Sequence, residues 1–281
     1  MTITAVLEGG PFDRATSKVK EGDIVTAING EPLTADIDIA QLLNKLSGKK
    51  TLISLKNAAG KWDEVILPIT AAAQNTLLYN RWVKSRAEAV DKLSGGRLGY
   101  VHIKGMNDAS FRDIYSDILG KYNLKDGIVI DTRQNGGGRL HEDIEILFSG
   151  HHYFEQVIRG RVSCDMPSRR YNHPSIMIQA EGNYSNAHGT PWVYKHQGLG
   201  KLVGAGVPGT MSSVNWETLQ DPTMVFGIPV IGYRDDEGNY LEGTQLDPDI
   251  RVLNLPETIV TGTDLQLETA VKELLKDIDK K

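Results

Sequence analysis

Apolar residues recur along this chain in two rhythms. Over residues 1–70 they come in short runs punctuated by glycine, the signature of strands and tight connections. Thr2 to Leu7 alternates as a strand does, Gly22-Asp23 leads into Ile24–Ile28, and Asn29-Gly30 closes that run with a turn signal. Ile37 to Leu46 has helical spacing ended by Gly48, and Thr51 to Lys56 and Glu64 to Ile69 predict two further strands around Asn57–Gly60. From about Ala71 to Lys92 the rhythm becomes helical, with Leu77, Leu78, Trp82, Val83 and Ala89 on one face.

Beyond Leu98 strands and helices alternate. Gly99–Ile103, Gly127–Asp131, Ile176–Ile178 and Leu202–Val203 read as strands, and 111–122, 140–148 and 265–278 as helices. Repeated strand–helix units bury a sheet between layers of helix, so the pattern predicts an α/β domain behind a smaller β-rich one. The boundaries expected are 1–70, a helical linker over 71–97, and 98–281.

Composition narrows the functions open to such a chain. At 40% apolar and 24% charged residues it has the profile of a globular protein. A net charge of −5, with only short pairs such as Lys49-Lys50, argues against nucleic acid, whose phosphates require clustered cations. The lone Cys164 excludes an intrachain disulfide and a Cys-rich zinc cluster, and the seven histidines show no H-E-x-x-H spacing. No metal or cofactor is expected. No apolar run approaches the ~18 residues of a membrane span, and no basic start followed by an apolar stretch marks a signal peptide.

Three segments carry candidate chemistry. The first is the strand Ile128–Asp131 running through Arg133 into Asn135-Gly136-Gly137-Gly138. Adjacent glycines expose backbone N–H groups and permit positive φ, so the turn can approach a ligand closely, although a plain strand-to-helix turn needs no more. The second ends the strand at 176–180 with Glu181-Gly182-Asn183-Tyr184-Ser185-Asn186. A hydroxyl there is presented where a helix begins, as a nucleophile or simply as a helix cap. The third is Glu242 ahead of Pro248-Asp249-Ile250, by itself a solvated charge before a turn.

Together these segments resemble known signatures. Gly22-Asp23-Ile24 to Asn29-Gly30 is similar to the "GD-x-I-x-x-I-N-G" strand of PDZ domains, and the chain is expected to begin inside or at the edge of one. The sequence from Asp131 to Gly138 resembles the "D-x-R-x-N-G-G-G" turn of tricorn-type serine peptidases of the C-terminal processing peptidase group. Tyr184-Ser185-Asn186, Glu242 to Ile250 and Gly262 to Ala270 follow in that group's order. The resemblance implies a mixed α/β, crotonase-like catalytic domain acting on peptides or unfolded proteins. Ser185 would be the nucleophile, Glu242 part of the charge network, Gly136, Gly137 and Asn186 the oxyanion site, and Arg133, His141 and His188 candidates for the substrate pocket. A homo-oligomer is compatible with it. Bacterial members point to the cell envelope, whereas tricorn itself is cytoplasmic.

One element departs from the pattern. A serine hydroxyl needs a base. Where processing peptidases place a lysine after the Gly204–Gly209 turn this chain has Met211, and tricorn-type enzymes take a histidine from a region preceding the PDZ domain. The expectation is therefore a fragment whose base lies upstream. Two rivals stand beside it: a non-catalytic peptide-binding protein using the PDZ groove, and an acyl-CoA enzyme on a similar fold.

Overall fold

The computed structural model describes residues 1–280. The chain resolves into two compact units, 1–85 and 86–281. The first is a four-stranded antiparallel sheet in the order β2-β1-β3-β4, with β1 Ile24–Ile28, β2 Glu31–Pro32, β3 Thr51–Asn57 and β4 Gly60–Ile66. Asn29 and Gly30 both take positive φ in the turn after β1, as the Asn-Gly pair predicts. Val25, Ile28, Ile53, Leu55 and Ile66 form its core. The predicted helix over 37–46 shortens to α1, Ile39–Leu43, and the alternation at 2–7 yields only a bridge from Thr2 to Ile24. Helix α2, Ala71–Leu93, contains the division between the units.

The second unit is built on a five-stranded parallel sheet. Its strands β5 Leu98–His102, β6 Gly127–Asp131, β9 Ser175–Gln179, β10 Gly200–Gly204 and β13 Ile250–Arg251 lie in sequence order across the sheet. Every residue of β6 and β9 is buried, which explains why they read as unbroken apolar runs: a parallel sheet is covered on both faces. Ile128, Ile130 and Met177 pack with Ile114 of α3 (Asp108–Ser116), Ile144 of α4 (His141–Ser149) and Ala187 of α5 (Asn186–His196). α3 runs on into a π-helical turn at Asp117–Lys121. On the other face, helix α7, Leu265–Ile278, packs on β6, β9 and β10 with Leu267, Ala270, Val271 and Leu274 buried. Full burial of one such side chain contributes about 1.5–3 kcal/mol.

Two antiparallel hairpins stand apart from this sheet: β7 Phe154–Ile158 with β8 Arg161–Met166, and β11 Ser213–Thr218 with β12 Val225–Ile231. A short helix α6, Pro256–Ile259, precedes α7.

Candidate active site

The C-terminal ends of β6 and β9 are adjacent, so the loops leaving them meet. They are laced together by buried polar groups. Thr132 donates from both its N–H and its hydroxyl to the Ile178 carbonyl, at 2.9 Å each, and Asn183 Nδ2 donates to Thr132 Oγ1 at 2.8 Å. Asn135 spans the gap: its Nδ2 donates to the Ile103 carbonyl at 2.7 Å, its carbonyl accepts from Tyr184 N–H at 3.0 Å, and its Oδ1 accepts from Gly137 N–H at 2.9 Å.

This lacing brings the glycine turn against Ser185. Gly137 has φ +93°, and a Cβ on it would stand 2.7 Å from Ser185 Cβ and 3.2 Å from Asn186 N. Only glycine fits there. Ser185 itself has φ 55° and ψ −123°, a conformation that costs an L-residue roughly 1–3 kcal/mol and recurs at strained strand-to-helix nucleophile turns. Its N–H donates to Thr210 Oγ1 at 3.0 Å. The hydroxyl makes no capping bond to α5, so the plain helix-cap reading of this serine does not describe it.

Asn186 ties the serine to the start of α4. Its Oδ1 accepts from Leu140 N–H at 2.8 Å and His141 N–H at 3.1 Å, and its Nδ2 lies 2.7 Å from His141 Nδ1. With Nδ2 as donor, His141 Nδ1 accepts. The backbone N–H of Asn186 is a different matter: like those of Gly136 and Gly138, it donates to nothing among the described residues. The Gly137 N–H, by contrast, is already engaged with Asn135, a bond invisible in the sequence.

Glu242 is exposed, and its Oε2 accepts from Ser212 N–H at 2.7 Å. Ser212 lies two residues beyond Thr210, so one segment carries both the Ser185 contact and the Glu242 contact. Met211 between them is buried, its sulfur against Gly189 of α5. The residue in the place of a processing peptidase's lysine is thus part of the core.

Two residues expected in the substrate pocket lie elsewhere. Arg133 is buried, its guanidinium gripped by Asp131 at 2.6 Å and by Asp264 at 2.9 and 3.0 Å, with Gln266 Oε1 at 3.1 Å. It is a core clamp, because Asp131 at the end of β6 and Asp264 at the cap of α7 both need a cation in a place water cannot reach. His188 is fully buried beneath Ser185 and lines no open pocket. Burial pushes its imidazole below the ordinary value, against the opposing pull of the Glu242 charge and the Thr244 backbone. Neither ring nitrogen makes a hydrogen bond of good geometry. Of the three, His141 is the one whose ring meets Asn186, and Tyr233, which sequence reasoning passed over, meets that ring edge-on at 6.2 Å.

The sequence profile of peptidase family S41 matches residues 97–252, a span that takes in the glycine turn, Ser185 and Glu242. The chain belongs to peptidase family S41. A PDZ-domain profile matches residues 2–57. Among curated relatives, it is 26% identical over 281 residues to a tricorn protease homolog of Saccharolobus solfataricus and 25% identical over 259 residues to the tricorn protease of Thermoplasma acidophilum. Those matches take in 96% and 92% of this chain but only 25% and 24% of the relatives' length. The crystal structure of the tricorn protease superposes with a TM-score of 0.83 at 23% identity, over 99% of this chain and 28% of that one. An S41 fold with a PDZ domain ahead of it is therefore the architecture, as the motifs had implied.

Proposed function

We propose that this chain carries the nucleophile and oxyanion site of a serine peptidase that cleaves peptide bonds through an acyl-enzyme on Ser185. The observation that carries the reading is the contact of Gly137 with Ser185, in which a strained serine is held against a backbone that only glycine can supply. Ser185 Oγ would attack the scissile carbonyl while its proton passes to a histidine base outside these 281 residues. The carbonyl oxygen, now an anion, would take the free N–H of Asn186. It would share the Gly137 N–H with Asn135, with Gly136 alongside; each such donor is worth about 2.7–4 kcal/mol. Collapse expels the amine, which takes the proton from the base, and water then hydrolyses the ester. Glu242 would orient the incoming base.

The division of labour proposed along the chain is a PDZ domain over 1–70, a helical linker over 71–97 and the catalytic domain over 98–281. Met211 supports a second reading, a peptide binder without turnover, since a thioether in that position cannot take the serine's proton.

Chemical rescue separates the two. Imidazole added to the chain should accelerate hydrolysis of an activated peptide ester, and Ser185→Ala should abolish that gain. An equal imidazole effect in both proteins would remove Ser185 from the reaction.

A further inference from the structure

Hairpin β11–β12 stands with both feet on the candidate site. Ser212, just before β11, donates to Glu242, and two residues earlier Thr210 accepts from Ser185 N–H. At the other end Tyr233, two residues past β12, shares a 3.0 Å hydrogen bond with Ser213 and meets His141 edge-on. Between these feet the two strands pair only with each other among the described residues, leaving one edge of each open.

An isolated two-stranded hairpin is marginal in water, and this one is apolar on both faces. Cross-strand partners share a face, so Trp216 lies over Gly227 on one side while Phe226 and Ile228 stand opposite Glu217 and Asn215 on the other. Trp216 is 68% exposed and Phe226 58%. The flanking charge is one-sided: residues 212–242 hold Glu217, Asp221, Asp235, Asp236, Glu237 and Glu242 against Arg234 alone. A second copy of this chain would bring the same carboxylates against their like, which costs free energy. An extended cationic chain would neutralise them, pair with an open strand edge and cover the apolar face.

We propose that β11–β12 is the substrate-docking arm of the site, taking an extended peptide segment in which apolar side chains are interspersed with lysine or arginine. The proposal rests on the peptidase reading of Ser185 and narrows it to a substrate class.

The test uses the Ser185→Ala chain, which cannot turn over, and fluorescence anisotropy with three labelled peptides of equal length: alternating Lys-Val, Glu-Val and Lys-Ser. The Lys-Val peptide should bind at least about tenfold tighter than either control. Phe226→Ser and Trp216→Ser should each erase most of that preference. So should Glu217→Lys, an exposed change with no core to disturb, in a chain whose circular dichroism is unaltered. Equal affinity for the three peptides, or no binding, overturns the arm. Substitutions that alter only sedimentation behaviour also overturn it, assigning the hairpin to contact between copies. Fluorophosphonate labelling of wild-type Ser185, with imidazole supplied as the base, keeps the two readings apart. Labelling without peptide preference leaves the peptidase and removes the arm, whereas preference without labelling does the reverse.

Discussion

A Cβ added to Gly137 would lie 2.7 Å from the Cβ of Ser185, well inside van der Waals contact, at a φ of +93° that L-residues rarely adopt. The turn and Ser185 therefore cannot be altered independently. Gly137→Ala is expected to displace one or the other and to lower the rate of fluorophosphonate modification of Ser185 by about a hundredfold, as a misplacement of about 1 Å does in an active site. Circular dichroism would check that the fold survives. An unchanged rate would separate the turn from the serine.

Arg133 makes the opposite prediction from a pocket residue. Removing it leaves Asp131 buried without a counter-charge and Asp264 with only the longer 3.4 Å contact to Arg86, so Arg133→Ala should cost about 3–5 kcal/mol of stability, read from denaturant unfolding. A pocket role would instead leave stability intact and alter peptide affinity.

Thr210→Val removes the acceptor for Ser185 N–H while keeping the shape of the side chain. A half-buried donor left unpaired costs about 1–3 kcal/mol. Slower modification of Ser185, with a smaller loss of thermal stability than for Arg133→Ala, is the expected outcome, measured by labelling kinetics and thermal melts.

These three residues also mark how far the sequence could be read. β6 and β9 were legible because burial on both faces leaves an unbroken apolar run, and the site's centre because three adjacent glycines and a serine after a buried strand are uncommon chemistry at the right spacing. Arg133 misled because a cation beside a glycine turn looks like a ligand for substrate. One partner, Asp131, is two residues away, but the other, Asp264, is 131 residues away in sequence and its cap position says nothing about what else it binds. His188 misled similarly: three residues past Ser185, its direction depends on how α5 leaves the strained turn. The hairpins went unassigned although Arg159-Gly160 in β7–β8, with φ of 48° and 78°, is a turn signal between alternating residues. In β11–β12 only the first strand alternates, with Val214 and Trp216 between polar residues, while β12 is apolar on both faces and broken by Gly227 and Pro229, so the pair does not announce itself as a hairpin.

Stability should fall as pH drops below neutral. Burial holds both His188 and His102 below the ordinary imidazole value, so the unfolded chain takes up protons near pH ~6.5 that the native state resists. Above that range these groups contribute nothing to the pH dependence; below it they favour unfolding. At lower pH Asp264 adds to the loss. Burial raises its carboxyl, but the bonds and charge of Arg133 outweigh this and hold it low, a contribution present above pH ~4 and lost as the carboxyl protonates. Thermal melts from about pH 8 to about pH 4 should show a midpoint that declines through the histidine range, with a shallower decline in His188→Phe. A flat profile would mean that the buried imidazoles titrate normally.

The most direct measurement is mass-spectrometric mapping of fluorophosphonate adducts on the folded chain in the presence of imidazole. The adduct should fall on Ser185 alone and disappear in Ser185→Ala. An unmodified Ser185, or an adduct on another serine that persists in that variant, would contradict the assignment of the nucleophile and leave only the S41 fold.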